Sequence, residues 1–353
     1  MPSRFATPLA LLALLGLSAC VDSGSPVPDG PDFTVTGTGS GYTVQALTMP
    51  ALAEQGEARG INDAGVAAGF VQSGGDYQAV RWNSRNDVKD LGNLPGLPSD
   101  IANDISQSGT VVGFSFGSAV SFARPFVWTS GGGMQALADF GGNAGIAQAI
   151  NASGIIVGWA ADSFGVVHAA RWDAAGNLTD LNPPGGTSIA LDINDAGDIV
   201  GWTFPFGAFS EHAHLWRHDG VELDLGTLGG PSSRAFGVNN GLTVVGVSDQ
   251  PPPDQPLAFS WSPTRGILSL KYGPDSQSFA VSDLGRSVGL THQTAVTKFH
   301  GVLEILPDLA PAKPHFSAPV NLNSCGTIVG SSVDPNPASA ALFPVVWKKA
   351  GCD

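Results

Sequence analysis

Ile193-Asn194-Asp195-Ala196-Gly197-Asp198-Ile199-Val200-Gly201 decides the fold. Two apolar runs flank a short polar joint. Asn and Asp favour turns, and a glycine three residues after the Asn supplies the positive φ that closes a tight hairpin. The outline Ile-Asn-x-x-Gly-x-Val-Val-Gly recurs at Ile61–Gly69 and Ile150–Gly158, and looser copies end at Gly113, Gly246, Gly289 and Gly330. The closing glycines 69, 113, 158, 201, 246, 289 and 330 stand 44, 45, 43, 45, 43 and 41 residues apart. A fixed period of this size marks a repeat architecture.

Each repeat carries four short strand candidates. In the third these are Ala147–Asn151, Ile155–Trp159, Val167–Trp172 and Asn177–Leu181, rich in β-branched or aromatic residues with turn residues between them. Trp82, Trp128, Trp172, Trp216, Trp261 and Trp347 end the third strand in six repeats, and Lys298 stands near that place in the sixth. A unit of this size cannot bury both faces alone, whereas a radial ring of such units can. Seven copies predict an all-β, seven-bladed β-propeller. The last repeat stops after Trp347 without a fourth strand, and Tyr42–Leu47 precedes the first repeat as a spare one. Pairing the two would close the ring. An open β-solenoid would need no such matching ends.

Composition agrees. Gly (47) and Pro (26) make up about a fifth of the 353 residues, which nearly excludes long helices. A hydrophobic share of 42% is enough to build a core. The net charge of −14 repels phosphate backbones and argues against nucleic acid as a partner.

The repeats also resemble a known family. Asp224-Leu225-Gly226-Thr227-Leu228-Gly229-Gly230, the Ile-Asn-x-x-Gly units, and His168-Ala169-Ala170-Arg171-Trp172 with His212-Ala213-His214-Leu215-Trp216 are similar to the extracellular HAF repeats of bacteria over about residues 42–349. The motif histidine is replaced by Gln78, Arg124, Leu257 and Thr294 in other repeats. The resemblance implies an exported repeat protein and no established activity.

The first residues predict the destination. Arg4, the apolar run Leu9–Leu17 and Leu17-Ser18-Ala19-Cys20 read as a signal peptide over 1–19 with a lipobox, so Cys20 is the expected lipidation site and membrane anchor. Residues 20–41, rich in Gly, Ser, Pro and Asp, read as a flexible tether to a body at 42–353. Val21 after the cysteine matches, by analogy, lipoproteins sent to the outer membrane or cell surface. With Cys20 acylated, Cys325 and Cys352 remain, an even pair for one disulfide in an oxidising compartment. Two free buried thiols are the alternative.

Chemistry is sparse. Gly113-Phe114-Ser115-Phe116-Gly117 matches the nucleophile-elbow pattern, but a repeat strand ends there and no helix follows. Glu211, His212, His214 and His218 form the densest metal-like cluster. His212 stands at a repeat position, so a structural hydrogen bond is expected there rather than a metal. No cofactor is implied. Aromatic residues do concentrate in corresponding segments of three consecutive repeats: Phe114, Phe116, Trp159, Trp202, Phe204, Phe206 and Phe209 are the candidate ligand-binding residues. On one rim of a propeller they could stack on a glycan or anchor a protein. Packing between blades is the competing account. The expectation is a non-catalytic, lipid-anchored envelope scaffold that binds a glycan or protein. The alternative is an extracellular hydrolase or lyase with its site in the propeller funnel, which requires carboxylates or a histidine converging from several blades.

Overall fold

A computed structural model describes residues 41–117, 123–181, 186–204, 207, 209–251, 255–309, 317–334 and 341–349. The leader, Cys20 and all but the last residue of the tether lie outside them. Gly37–Asp353 makes one unit, with which everything below is concerned.

Seven four-stranded antiparallel sheets follow one another along the chain. Blade 1 holds Gln55–Ile61, Ala67–Ser73, Asp76–Trp82 and Val88–Asp90, and blades 2 to 6 repeat the order through Val302–Ile305. Blade 7 is built from Ser317–Leu322, Ile328–Val333 and Leu342–Lys349, and Tyr42–Ala46 supplies its fourth strand. Tyr42 faces Lys349 and Ala46 faces Val345, so the chain start closes the ring as the incomplete ends predict. The first strands of successive sheets touch one another all the way round, the seventh against the first, which makes them the inner strands.

Each of the seven joints between blades encloses its own apolar cluster, because a sheet face is covered only by its neighbour. Tryptophan anchors this packing. The indole N–H of Trp82, Trp172 and Trp347 donates to the carbonyl of Thr48, Ala138 and Pro307, each in the connection just before the tryptophan's own blade. Lys298 pairs with Ser287 in the register position of the tryptophans, and its ammonium donates to Leu270 O at 2.6 Å in the matching connection. Burial lowers the Lys298 pKa. Repeat six therefore replaces the ring but keeps the donor.

The closing glycines have a steric cause that the sequence does not reveal. Every inner strand leaves one residue unpaired three positions before its turn, at Arg59, Asn103, Gln148, Leu191, Phe236, Phe279 and Val320. Such a bulge bends the strand. It sits directly beside the residue that pairs with the closing glycine. A Cβ on Gly69, Gly113, Gly158, Gly201, Gly246, Gly289 or Gly330 would overlap an inner-strand carbonyl oxygen, that of Ile189 in the case of Gly201.

The turn motif does two jobs. Within a blade, Gly197 takes φ 90° and the Asn194 side chain accepts the Asp198 N–H at 2.8 Å. Between blades, the Asn amide donates to the backbone of the next turn: Asn62 to Ser106 O, Asn151 to Asn194 O, Asn194 to Asn239 O, Asn239 to Ser282 O and Asn323 to Asn62 O, at 2.9–3.3 Å. The residue after each Asn makes a second circuit, in which the N–H of Asp63, Ala152, Asp195, Asn240 and Ser324 donates to the side chain of Gln107, Asp195, Asn240, Asp283 and Asp63. Both circuits skip the same two joints, blade 2 to 3 and blade 6 to 7, where Ser106 and Ser282 stand in place of asparagine.

Candidate functional site

Antiparallel pairing sorts the connections onto two rims. First-to-second and third-to-fourth connections form the turn rim. Second-to-third connections and those leading to the next blade form the loop rim. The candidate aromatics belong to the loop-rim half, but most lie in strands rather than loops, because second strands run past the closing glycine to Phe116, Asp162 and Phe204.

Burial divides these aromatics. Phe114 and Trp159 are only 1% and 3% exposed, so they fill joints and are not presented to a ligand. For these two the competing account, packing between blades, holds. Residues immediately after the closing glycine pair with the inner strand and share its face toward the next blade. Phe116, Trp202 and Phe204 are half-buried, and Phe209 is fully exposed. Phe206 lies outside the described residues. Cys325, in the blade 7 turn, is disulfide-bonded, while Cys352 lies outside the described residues.

Two clusters on this rim combine aromatic surface with an ion pair. At the joint of blades 1 and 2, Phe70, Tyr77 and Phe116 form a row with centroids 5.4 and 5.7 Å apart. The Arg59 guanidinium lies 5.0 Å from the Phe70 centroid, bonds Glu57 at 3.2 Å and reaches Asn103 Oδ1 at 3.0 Å. At the joint of blades 4 and 5, Arg234 lies 5.6 Å over Trp202 and donates from Nε and Nη2 to Glu211 Oε1 at 3.0 and 2.6 Å. Among the described residues the buried Trp202 indole N–H has no partner. Phe70 and Tyr77 were not singled out from sequence. Phe70 follows Gly69 as Phe114 and Trp202 follow theirs, so alignment on the closing glycine was the signal that pointed to it.

Carboxyls meet in two deeper places. Asp104 and Asp192 occupy equivalent positions after the bulges of blades 2 and 4. Each reaches across a joint to accept a backbone N–H, from Ile150 at 2.9 Å and from Val238 at 2.8 Å. Burial pushes both up to about 7. Asp100 is also pushed up to about 7 by burial, and its carboxyl accepts the Ser115 hydroxyl. Ser115, the centre of the nucleophile-like string, is therefore on a strand, fully buried and committed to a carboxyl.

The histidines pair within their blades. His168 and His212 hold Asp180 and Asp224 of the neighbouring fourth strand at 2.8 Å, and His218 holds Asp198 at 2.7 Å. The His-Ala-x-x-Trp and Asp-Leu segments recur together because this bond ties the third strand to the fourth. His214 is buried beside Trp216, and desolvation lowers its pKa. Among the described residues no group of three His, Cys, Asp or Glu side chains is arranged to hold a metal ion.

No protein-family model matches the chain, and no curated protein does. Solved structures do. Virginiamycin B lyase of Staphylococcus aureus, crystallised as an inactive variant with quinupristin, is 13% identical with TM-score 0.56, covering 87% of this chain and 99% of its own. Oligogalacturonate lyase of Vibrio parahaemolyticus is 10% identical with TM-score 0.58, over 86% and 93%. A puromycin hydrolase is 11% identical with TM-score 0.55, over 86% of this chain and 54% of its own. At these identities the likeness is one of fold.

Proposed function

We propose that the chain is a lipid-anchored envelope protein, a member of the HAF-repeat family, whose propeller binds a glycan or protein ligand on its loop rim without catalysing a reaction. The observation that carries this is the pairing of half-buried aromatic faces with hydrogen-bonding ion pairs, Phe70–Tyr77–Phe116 with Arg59 and Glu57, and Trp202 with Arg234 and Glu211. Aromatic faces cover apolar sugar or side-chain surface, and the fixed charges orient hydroxyl or amide groups. Cys20 carries the acyl chains, and Cys325 pairs with Cys352. Tyr42 enters blade 7 on the turn rim.

The second reading is a hydrolase or lyase working at the axis, as the enzymes among the structural neighbours would allow. Asp104 and Asp192 are the carboxyls it would use. Both already accept backbone N–H bonds from a neighbouring blade, which favours a structural role.

The experiment is a pull-down from envelope extract and a titration with envelope polysaccharides, comparing the parent with Tyr77→Ala, Trp202→Ala and Arg234→Ala combined. Binding should fall at least tenfold while the melting temperature stays within a few degrees. Unchanged binding would remove the loop rim from the account. In cells, Cys20→Ser should move the protein from the membrane fraction to the soluble one.

A further inference from the structure

The seven bulges have a consequence beyond fixing the glycines. They place one side chain from each inner strand at the same level of the ring, three residues before the turn. Exposure shows where two of these side chains point, while Asn103 is buried. Gln148 is partly exposed between buried Ala147 and Ala149, and Phe236 is partly exposed between buried Ala235 and Gly237. Solvent reaches mid-strand positions of the inner strands only from the axis.

The level is divided in two by chemistry. Blades 1 to 3 contribute Arg59, Asn103 and Gln148, and blades 4 to 7 contribute Leu191, Phe236, Phe279 and Val320. The polar arc is linked side to side: Arg59 Nη1 donates to Asn103 Oδ1 at 3.0 Å, and Asn103 Nδ2 donates to Ala147 O at 2.9 Å. Among the described residues the Gln148 amide has no hydrogen-bond partner. In the apolar arc Phe236 and Phe279 lie with centroids 6.0 Å apart. An unpaired amide opposite aromatic and aliphatic surface calls for a molecule with two unlike sides. Arg59 is balanced by Glu57, so the arc offers hydrogen bonds rather than net charge.

We propose that the axial channel is a second binding site, separate from the loop-rim clusters, which takes an uncharged amphiphile, its hydroxyl- or amide-bearing head on Gln148 and its apolar body on Leu191, Phe236 and Val320. The ligand class follows from the division of the ring, and the site stands whether or not the loop rim binds anything.

The test uses calorimetric titration of the full chain with octyl β-D-glucopyranoside below its micelle threshold, alongside glucose, octanol and octyl sulfate. Octyl glucoside binds once per chain, and the other three bind at least tenfold more weakly. Val320→Thr, which keeps shape and adds a hydroxyl, weakens octyl glucoside several-fold. Gln148→Leu removes most of its advantage over octanol. Both substitutions are close in volume, and melting temperatures confirm folding. Comparison with the parent cancels any association of the probe with residues 1–40. Trp202→Ala leaves the binding unchanged, which separates this site from the loop rim. Absence of binding, equal binding of glucose or octyl sulfate, or binding indifferent to both ring variants would overturn the proposal.

Discussion

On the turn rim, asparagine amides and the residues beside them join one blade to the next in two circuits, built from the residues that recur every 41–45 positions. On the loop rim the two aromatic clusters use different side chains: Tyr77 and Phe116 stand at one joint, Arg234 and Trp202 at another. The two rims belong to the same strands, so their difference is one of task. Repeated residues hold neighbours together and are buried or paired. Residues that vary between repeats are released from that task and can meet a ligand. One exception on the holding side keeps its bond: Lys298 donates where a tryptophan would.

The largest expected effect breaks the holding side. Gly201→Ala drives a methyl into the Ile189 carbonyl and should destabilise the ring by more than about 4 kcal/mol, the range of severe core lesions. Gly131→Ala, where a Cβ meets nothing within 4 Å, should stay within about 0.5 kcal/mol. Urea unfolding measures both, and equal effects would remove the steric account of the motif.

The next effect concerns pH. Asp104 and Asp192 hold their protons more tightly folded, with pKa about 7, than at the ordinary 3.8. The stability they contribute is complete below about pH 4 and is lost as pH rises through about 7. The unfolding free energy should be lower at pH 8 than at pH 5, by on the order of a few kcal/mol. Asp104→Asn with Asp192→Asn keeps an acceptor for the Ile150 and Val238 N–H groups and should remove the larger part of that slope. A slope unaltered in the double variant would assign it elsewhere.

Smaller still are the bridges between turns. Asn194→Ala loses the bond to Asn239 O and the acceptor of the Asp198 N–H, a loss of about 1–3 kcal/mol. Ser106→Asn restores an amide at an unbridged joint and should add about 0.5–1 kcal/mol. A gain at Ser106 would sharpen the contrast between bridged and unbridged joints. No gain would mean that Asn103 and Asp104 already secure that joint through Ala147 and Ile150.

Much of this was legible beforehand. Period, blade number and the closing strand follow from glycine spacing, tryptophan placement and the unmatched ends. Positive φ at Gly197 follows from turn chemistry. The bulges were not legible, because in strands as rich in Ala and Gly as Ala147–Ala149 an extra residue leaves no break in hydrophobic alternation. The site was read only in part. Phe114 and Trp159 stood among the ligand candidates because spacing carries no burial, whereas pairing with the inner strand continues beyond the glycine and carries both into the joints. Arg59 and Glu57 escaped notice because their partner Phe70 comes close only through the fold.

The claim beneath all of this is that the chain start completes the seventh blade. Thr43 lies opposite Lys348 in that pairing. Thr43→Cys combined with Lys348→Cys, mapped by mass spectrometry of non-reduced peptides, should give a 43–348 crosslink in soluble, monomeric protein. Folded protein in which those two thiols stay unlinked, or link only between different chains, would contradict ring closure by the N-terminal strand.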